Sequence, residues 1–266
     1  MRIWHQSFTV LSDLPAYRDA MERHIRRIVD PGTVVELHGM QPGTYPGTYP
    51  GADIGFAALY ALHGQQWLAQ GVLAQRQGFD AYALCTLPNP MLREVRSVLD
   101  IPVVGYGEAA FHLACQLGHR FGILLFIDRM APLYQEQLHN HGLASRCAGI
   151  VSVGFSFDDV LAAWNEPARL IRCFEEAAGR LVDAGADVLI PGEMPLNVLL
   201  ASHGVRTVGH AAVVDGLAVT LKQCEMLASL RRTVGLSPSR HGWMNAQPDP
   251  ARVEQVLAFY GVHRTA

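Results

Sequence analysis

One strand–loop–helix pattern occurs twice in the sequence, and it limits the possible folds more than any other feature. The segments Asp80–Pro90 and Ala186–Asn197 each contain a short apolar run, a break and a proline at which a helix can begin. When the two segments are aligned, Thr86 falls on Glu193. A repeat period of roughly 105 residues is too long for a solenoid. The repeat therefore predicts two similar α/β halves that face each other.

The alignment of the two copies continues downstream of these segments. After a three-residue gap, Ile101–Tyr106 falls on Val205–His210, which makes His210 the expected counterpart of Tyr106. We predict a first half formed by residues 1–118 and 211–266, a second half formed by 119–210, and an active site between them.

Short apolar segments alternate with helical patterns along the whole chain, which is typical of a doubly wound parallel α/β fold. The predicted strands are 1–6, 33–37, 80–84, 101–104, 121–126, 149–153, 186–190 and 205–208. The predicted helices are 14–29, 54–78, 91–99, 109–117, 132–141, 168–184, 213–233 and 249–260.

Composition excludes several classes of partner. The net charge is −3 without a basic stripe, which argues against nucleic acid binding. No apolar run approaches the length of about 18 residues that a membrane span needs, and the first residues lack a signal-peptide pattern. The five cysteines form no C-x-x-C pair, as expected for reduced thiols in a cytoplasmic protein. We expect a homo-oligomer that acts on a small molecule.

Polar side chains follow most of the predicted strands. Because the carboxyl ends of parallel strands share one edge of a sheet, we expect these side chains to converge on one pocket. Thr86 and Glu193 would then lie on opposite sides of a ligand. The residues at strand ends are Gln6 and Ser7, His38, Cys85 and Thr86, Tyr106, Glu193 and His210.

Glu193 is the main candidate for acid–base chemistry. A carboxyl group in a partly dry pocket has a raised pKa, so it can remove a proton from a carbon acid or activate water. The alternative is that Glu193 only caps the helix that begins near Pro195. Its place in the repeat favours the functional interpretation.

The other catalytic candidates each have a structural alternative. Cys85 stands one residue before Thr86, and a one-residue shift in a strand turns the side chain to the other face, so we expect it to pack in the core. The alternative is a displaced acid or base. His210 and His38 are candidate proton shuttles or, alternatively, buried histidines that only make structural hydrogen bonds.

Binding of the ligand is assigned to loop residues. Ser7, Asn89 and Asn197 are candidates for holding a ligand carboxylate, together with backbone N–H groups at the strand ends. The duplicated sequence Gly43–Pro50 precludes regular structure and favours a binding loop or lid that includes Tyr45. The alternative is a surface insertion produced by duplication.

We expect neither a metal nor a cofactor. The chain has no HExxH motif, no Walker motif, no complete dinucleotide fingerprint and no nucleophile elbow. His139 and His141 lie on a predicted amphipathic helix, which indicates solvent exposure. A zinc site made of His38, Glu193 and His210 is a less favoured alternative.

Several segments resemble the aspartate/glutamate/hydantoin racemase superfamily, over the range from Met1 to about Leu236. The similar segments are Gly78–Ala81, Asp100–Gly105, Gly107–Ala110, Leu117–Gly122, Gly185–Val188 and Asp215–Gly216. The resemblance implies a cofactor-independent enzyme; the superfamily includes racemases, maleate isomerase and arylmalonate decarboxylase. In its racemases, one cysteine after a strand in each half flanks the α-carbon of the substrate.

This chain departs from that pattern, because the two cysteine positions correspond to Thr86 and Glu193. Three hypotheses follow. The first is a racemase- or isomerase-like enzyme that moves a proton on a small carboxylate or hydantoin-like substrate, with Glu193 as the acid/base and Thr86 opposite. The second is a hydrolase or lyase on the same scaffold. The third is a small-molecule binding protein without catalytic activity.

Overall fold

Two mainly parallel sheets, one in each half of the chain, form the framework of the computed structural model, which describes residues 1–262. The strands are β1 (Arg2–Gln6), β2 (Val34–His38), β3 (Ala81–Leu84), β4 (Val103–Gly105), β5 (Phe121–Leu125), β6 (Cys147–Ser152), β7 (Val188–Pro191), β8 (Thr207–Val208) and β9 (Ala211–Val213). The helices are α1 (Pro15–Ile28), α2 (Gly51–Ile54), α3 (Ala57–Arg76), α4 (Leu92–Val98), α5 (Tyr106–Leu117), α6 (Ala131–Asn140), α7 (Phe157–Ala162), α8 (Ala168–Asp183), α9 (Met194–Ser202), α10 (Gly216–Val234) and α11 (Pro250–Phe259).

The two sheets share one topology. The first has the order β2-β1-β3-β4, and the second has the equivalent order β6-β5-β7-β9, with β8 added as an antiparallel edge strand. The predicted α/β fold with two parallel-sheet halves is confirmed. Each half also contains an equivalent hydrogen bond. In the first half Asp80 accepts from the backbone N–H of Arg2 at 2.7 Å, and in the second half Asp187 accepts from that of Arg120 at 3.0 Å. The alignment of Asp80 with Asp187 is thus reproduced in three dimensions.

The downstream part of the repeat alignment is wrong. The strand that pairs in parallel with β7 is β9, whereas the predicted strand 205–208 forms only the short antiparallel β8. The spatial counterpart of β4 is therefore β9. Because Ala211–Val213 belongs to the second sheet, that sheet extends past the predicted boundary after residue 210.

The predicted helix 54–78 is interrupted near its start. Phe56 has an extended backbone, which separates the short α2 from α3. Within α3, Leu59 and Leu62 are exposed. The buried face consists of Trp67 and small residues, and a Cβ at Gly71 would press against the side chains of Val95 and Leu99.

The chain returns to the first half at its end, because α10 packs on β3, β4 and α5. The halves are also tied by the hydroxyl of Tyr106, which donates a hydrogen bond to the carbonyl of Pro191 at the end of β7. A Cβ at Gly216 would overlap the Tyr106 ring, so only glycine fits there. No helix within residues 1–262 combines the length and apolar character that crossing a bilayer requires.

Candidate active site

A cavity lies between the two halves, at the carboxyl ends of β1, β3, β5 and β7. The space that water can enter is about 30 Å³, and about 450 Å³ is reached only when the gaps between atoms and the open solvent at the mouth are counted. Apolar side chains such as Phe8, Phe126 and Met194 form most of its wall. This is the position at which parallel α/β sheets place their ligands.

The two halves contribute equivalent segments to the cavity. From the first half come the loop after β1, Ser7–Thr9, and Thr86 after β3. From the second half come Phe126 and Ile127 after β5, and Glu193 after β7. The predicted meeting of Thr86 and Glu193 at one pocket therefore agrees with the structure.

The carboxylate of Glu193 is held by the neighbouring loop and not by its own helix. It accepts hydrogen bonds from the backbone N–H of Phe126, 3.2 Å from each oxygen, and from that of Ile127 at 3.1 Å. Glu193 occupies the N-cap position of α9, yet its side chain makes no capping hydrogen bond. The capping alternative is thus wrong, since the side chain is directed at the end of β5.

Burial controls the charge of Glu193. The residue is only 6% exposed, and desolvation raises the pKa of its carboxyl group to about 8. The two backbone N–H groups oppose this rise, and the nearby Asp128 adds to it. Both the protonated and the ionised forms are therefore accessible close to neutral pH, which suits a group that takes and returns a proton.

Cys85 and Thr86 both border the cavity. Cys85 is almost fully buried in the hydrophobic core, and burial raises the pKa of its thiol well above the ordinary value. The thiol is therefore protonated at neutral pH. Thr86 is also buried and carries a hydroxyl that is neutral at this pH. Among residues 1–262, the cavity wall opposite Glu193 therefore carries no ionised side chain at neutral pH.

The loop after β1 satisfies part of its own hydrogen-bonding needs. The Ser7 and Thr9 hydroxyls lie 2.7 Å apart, and the Thr9 N–H donates to Ser7 Oγ at 3.2 Å. Gln6 is different from Ser7: its side chain accepts from Trp4 Nε1 at 3.0 Å and donates to the Ser7 carbonyl at 3.2 Å. Ser7 therefore lines the cavity as expected, whereas Gln6 does not.

The duplicated loop contributes to the cavity through Tyr49 and not through Tyr45. Tyr45 donates to the carbonyl of Phe8 at 3.1 Å and accepts from the N–H of Val10 at 2.8 Å, so it braces the loop after β1. Tyr49 lines the cavity and stacks on Phe157 of the second half, with ring centroids 5.2 Å apart. The duplicated loop therefore reaches the cavity, but through Tyr49 and not through the predicted Tyr45.

Asn89 and Asn197 hold helix starts instead of facing the cavity. Asn89 accepts a hydrogen bond from the N–H of Gly107 in the first turn of α5, at 2.9 Å. Asn197 accepts one from the N–H of Gly216 at the start of α10, at 2.7 Å. Both oxygens are thus engaged within the protein. Tyr106, whose hydroxyl bonds to the end of β7, likewise does not line the cavity.

Neither His38 nor His210 reaches the cavity. The His38 ring stacks on Trp4 with centroids 3.3 Å apart and lines a separate groove beside α1. His210 is exposed on the turn between β8 and β9, at the amino edge of the second sheet, opposite to the edge that carries Glu193. The repeat alignment misplaced His210 because it matched β8 with β4. These positions also rule out the zinc set of His38, Glu193 and His210.

The sequence interpretation did not identify Phe126 and Ile127, whose N–H groups hold Glu193. The repeat itself contained the signal. These residues follow β5 as Phe8 and Thr9 follow β1, so extending the alignment to the first strand of each half would have found them.

The sequence was compared with known protein families and structures. A family model described as Asp/Glu/hydantoin racemase matches residues 15–224. The chain belongs to this family. Among relatives of this racemase family, the hydantoin racemase of Rhizobium meliloti is 25% identical over 161 residues, which are 60% of this chain and 65% of that protein. The hydantoin racemase of Pseudomonas sp. (strain NS671) is 24% identical over 157 residues, 59% of this chain and 61% of that protein.

Solved racemase structures support the fold over most of the chain. The allantoin racemase from Klebsiella pneumoniae superposes with a TM-score of 0.74 at 23% identity, covering 94% of each chain. The allantoin racemase from Pseudomonas fluorescens gives a TM-score of 0.70 at 25% identity, covering 94% of this chain and 98% of that one. The aligned regions span less than two thirds of the length of the two hydantoin racemases.

Proposed function

We propose that this member of the racemase family is a cofactor-independent enzyme that moves a proton at an acidic carbon, with Glu193 as the main acid/base. The observation that carries the proposal is a buried carboxyl group on the cavity wall, held by two backbone N–H groups and with a pKa raised to about 8. Such a group can collect a proton from a carbon acid at moderate cost and return it.

The cavity wall favours a neutral ring over a dicarboxylate. No lysine, arginine or histidine side chain of residues 1–262 lines it. A substrate with two carboxylates would thus lose hydration without gaining a charged partner, which is costly. A hydantoin-like ring carries hydrogen-bonding groups without a full charge and can place an apolar substituent beside Tyr49 and Phe157. The names of the hydantoin and allantoin racemases noted above agree with this choice.

The arrangement of the two sides defines the order of events that we infer. Ionised Glu193 takes the proton from one face of the ring. Inversion then requires a proton on the other face, where Thr86 and the protonated Cys85 thiol lie. The donor is left as an alkoxide or thiolate, and proton exchange with water returns it and the protonated Glu193 to their starting forms. Return of the proton from Glu193 itself gives exchange with solvent without inversion.

Isotope exchange tests the proposal directly. Wild-type protein is incubated in heavy water with hydantoins, lactams and dicarboxylates, and the recovered compound and any products are analysed. Deuterium at the α-carbon of a recovered hydantoin is the expected result. A ring-opened or shortened product instead supports the hydrolase or lyase hypothesis. Binding without any turnover in wild type and in Glu193→Gln supports the binding-protein hypothesis.

The pH dependence shows whether Glu193 acts first as a base or as an acid. If Glu193 acts first as a base, kcat/KM rises with pH and levels off above about 8, because only the carboxylate form is active. If Glu193 instead protonates a carbanion after bond cleavage, kcat/KM falls above the same pH. The rise is expected, and its absence from a pH profile between 6 and 9.5 would contradict the role as base.

A further inference from the structure

A second cluster of chemically capable side chains lies outside the cavity, between α5 and α6. Glu108 and His112 are four residues apart on α5, so their side chains share one face of that helix. His141 directly follows α6, and its ring lies edge-on to His112 with centroids 5.5 Å apart. We propose that Glu108, His112 and His141 form a binding site for a divalent transition-metal ion such as Zn²⁺.

The distances fit this assignment after small side-chain adjustments. One donor atom from each of the three residues lies within 4.8 Å of the other two. Zinc binds imidazole nitrogen and carboxylate oxygen at about 2.0–2.2 Å, so the ligand atoms of a tetrahedral ion are about 3.4 Å apart. The partly exposed side chains must therefore rotate towards one another by up to about 1.4 Å when the ion binds.

A neighbouring arginine orients the carboxylate. Arg96 donates to Glu108 Oε2 and is itself held by the carbonyl of Val103, at 3.0 Å and 2.9 Å from its two donor nitrogens. In the described part of the chain the other oxygen, Oε1, accepts no hydrogen bond and is free to bind an ion. A hydrogen bond of this kind positions a metal ligand, but the arginine charge also weakens the attraction for a cation. We therefore expect moderate affinity.

The ligand types select the class of ion. Two imidazoles and one carboxylate suit Zn²⁺, Co²⁺ or Ni²⁺, whereas Mg²⁺ and Ca²⁺ prefer sites made of oxygen ligands. Three protein ligands leave one tetrahedral position for water, which the exposed position of His112 allows. The site is distinct from the candidate active site, because none of its three residues lines the cavity.

The ion would connect the two halves of the molecule. Helix α5 follows β4 of the first sheet, while α6 belongs to the second half and carries Tyr134, which lines the cavity. On the same helix, Gln137 already donates to the carbonyl of Pro88 in the first half. Metal binding at the end of α6 would reinforce this contact and stabilise the folded protein.

The proposal is tested with the full chain after treatment with EDTA. Calorimetric titration with ZnCl₂ is expected to show one ion per chain and a rise in Tm. His112→Ala and His141→Ala should each weaken binding by at least ~100-fold, because even removal of a supporting residue costs ~10–100-fold. His139→Ala is the matched control, since His139 is exposed on the same helix and should bind as wild type does.

Cobalt supplies a readout of the coordination itself. A tetrahedral Co²⁺ complex absorbs strongly in the visible range, and this absorption should appear in wild type and His139→Ala only. Absence of binding, or equal Zn²⁺ affinity in wild type, His112→Ala and His141→Ala, would overturn the proposal. Loss of binding in His139→Ala would overturn it as well. Because binding is measured without substrate, these outcomes are independent of whether the proposed proton transfer is correct.

Discussion

The two halves of the molecule are alike in framework and different at the cavity. In both halves an aspartate, Asp80 or Asp187, accepts a backbone hydrogen bond at the beginning of a central strand. In both halves an asparagine, Asn89 or Asn197, accepts a hydrogen bond from the first turn of a helix. At the ends of β3 and β7, however, one half places neutral Thr86 and the other places Glu193. The duplicated scaffold is thus preserved where it supports the fold, and of these two positions only the one in the second half carries a carboxyl group.

The loops beside these two residues explain why a carboxylate fits only one of them. In the second half, the N–H groups of Phe126 and Ile127 point at Glu193 and stabilise its ionised form. In the first half, the N–H of Thr9 is already used by Ser7 Oγ. A charge at Thr86 would therefore find fewer donors than a charge at Glu193.

The strongest test of this asymmetry compares Glu193→Gln with Thr86→Val. We expect Glu193→Gln to reduce activity by at least ~100-fold, the usual scale for loss of an acid/base group. Thr86→Val, which keeps the shape of the side chain, should cost less than ~10-fold in solvent exchange of the α-proton, because that exchange needs only Glu193. Initial rates of deuterium incorporation measure both values. Equal losses of exchange in both variants would show that Thr86 also takes part in removing the proton.

The asparagines test the part of the framework that the halves have in common. Asn89→Ala and Asn197→Ala each leave a buried backbone N–H without its acceptor, which should lower the free energy of unfolding by about 1–3 kcal/mol. Asn89 also has a positive φ of 49°. Asn89→Gly should therefore be less harmful than Asn89→Ala by about 1 kcal/mol, because glycine adopts this conformation without strain.

Urea unfolding of the three variants and the wild type provides these values. No loss of stability in Asn197→Ala would mean that water or another group replaces the amide oxygen. Equal stability of Asn89→Gly and Asn89→Ala would contradict the strain expected from the positive φ at this position. It would leave the argument about the hydrogen bond unaffected.

The pH dependence of stability isolates the buried carboxyl group. Folded Glu193 keeps its proton up to a pH of about 8, whereas in the unfolded chain it loses the proton near its ordinary pKa of 4.5. Between these values the folded state binds more protons, so stability falls as pH rises, by about 1.4 kcal/mol per pH unit. The comparison is made between wild type and Glu193→Gln in urea at pH 5 and pH 7, so that contributions from other groups cancel. A difference between the variants that does not change with pH would contradict the raised pKa.

Cys85→Ala should have the smallest effect on activity. The thiol lies in the core with a pKa well above its ordinary value, so it is a poor base, and we expect a loss of less than ~10-fold in solvent exchange of the α-proton, which needs only Glu193. Thermal unfolding of the same variant accounts for the small cavity that the substitution creates. Complete loss of activity in a folded Cys85→Ala protein would show that Cys85, and not Thr86, opposes Glu193 in the reaction.

The sequence predicts the framework well because apolar runs and their breaks are local signals. In Ala186–Asn197 the structure confirms the strand, the break and the helix start. In Asp80–Pro90 it confirms the strand and the break, but α4 begins only at Leu92, after the left-handed Asn89 and Met91. Strand β9 was missed because Ala211–Val213 is short and follows a hairpin turn, so that its pairing with β7 depends on partners distant in sequence. Misplacing this strand also misplaced His210.

Site residues were predictable in proportion to how local their roles are. Glu193 and Thr86 were found from their place after a strand. Asn89 and Asn197 were predicted to bind the ligand. The sequence does not show that their side-chain oxygens accept hydrogen bonds from the N–H groups of Gly107 and Gly216. The exposed apolar side chains of α3 and the meeting of His141 with His112 likewise depend on packing between helices that no periodic pattern specifies.

The packing of α10 on the first half has a consequence for how the chain folds during its synthesis on the ribosome. Residues 1–118 supply β1 to β4 early in synthesis, but β3 and β4 remain without the cover of α10 until Gly216–Val234 has emerged. The nascent chain must therefore carry an open apolar face while the whole second half is translated. Exposed apolar surface of this kind favours aggregation during synthesis, so we expect the first half to fold productively only once α10 is available.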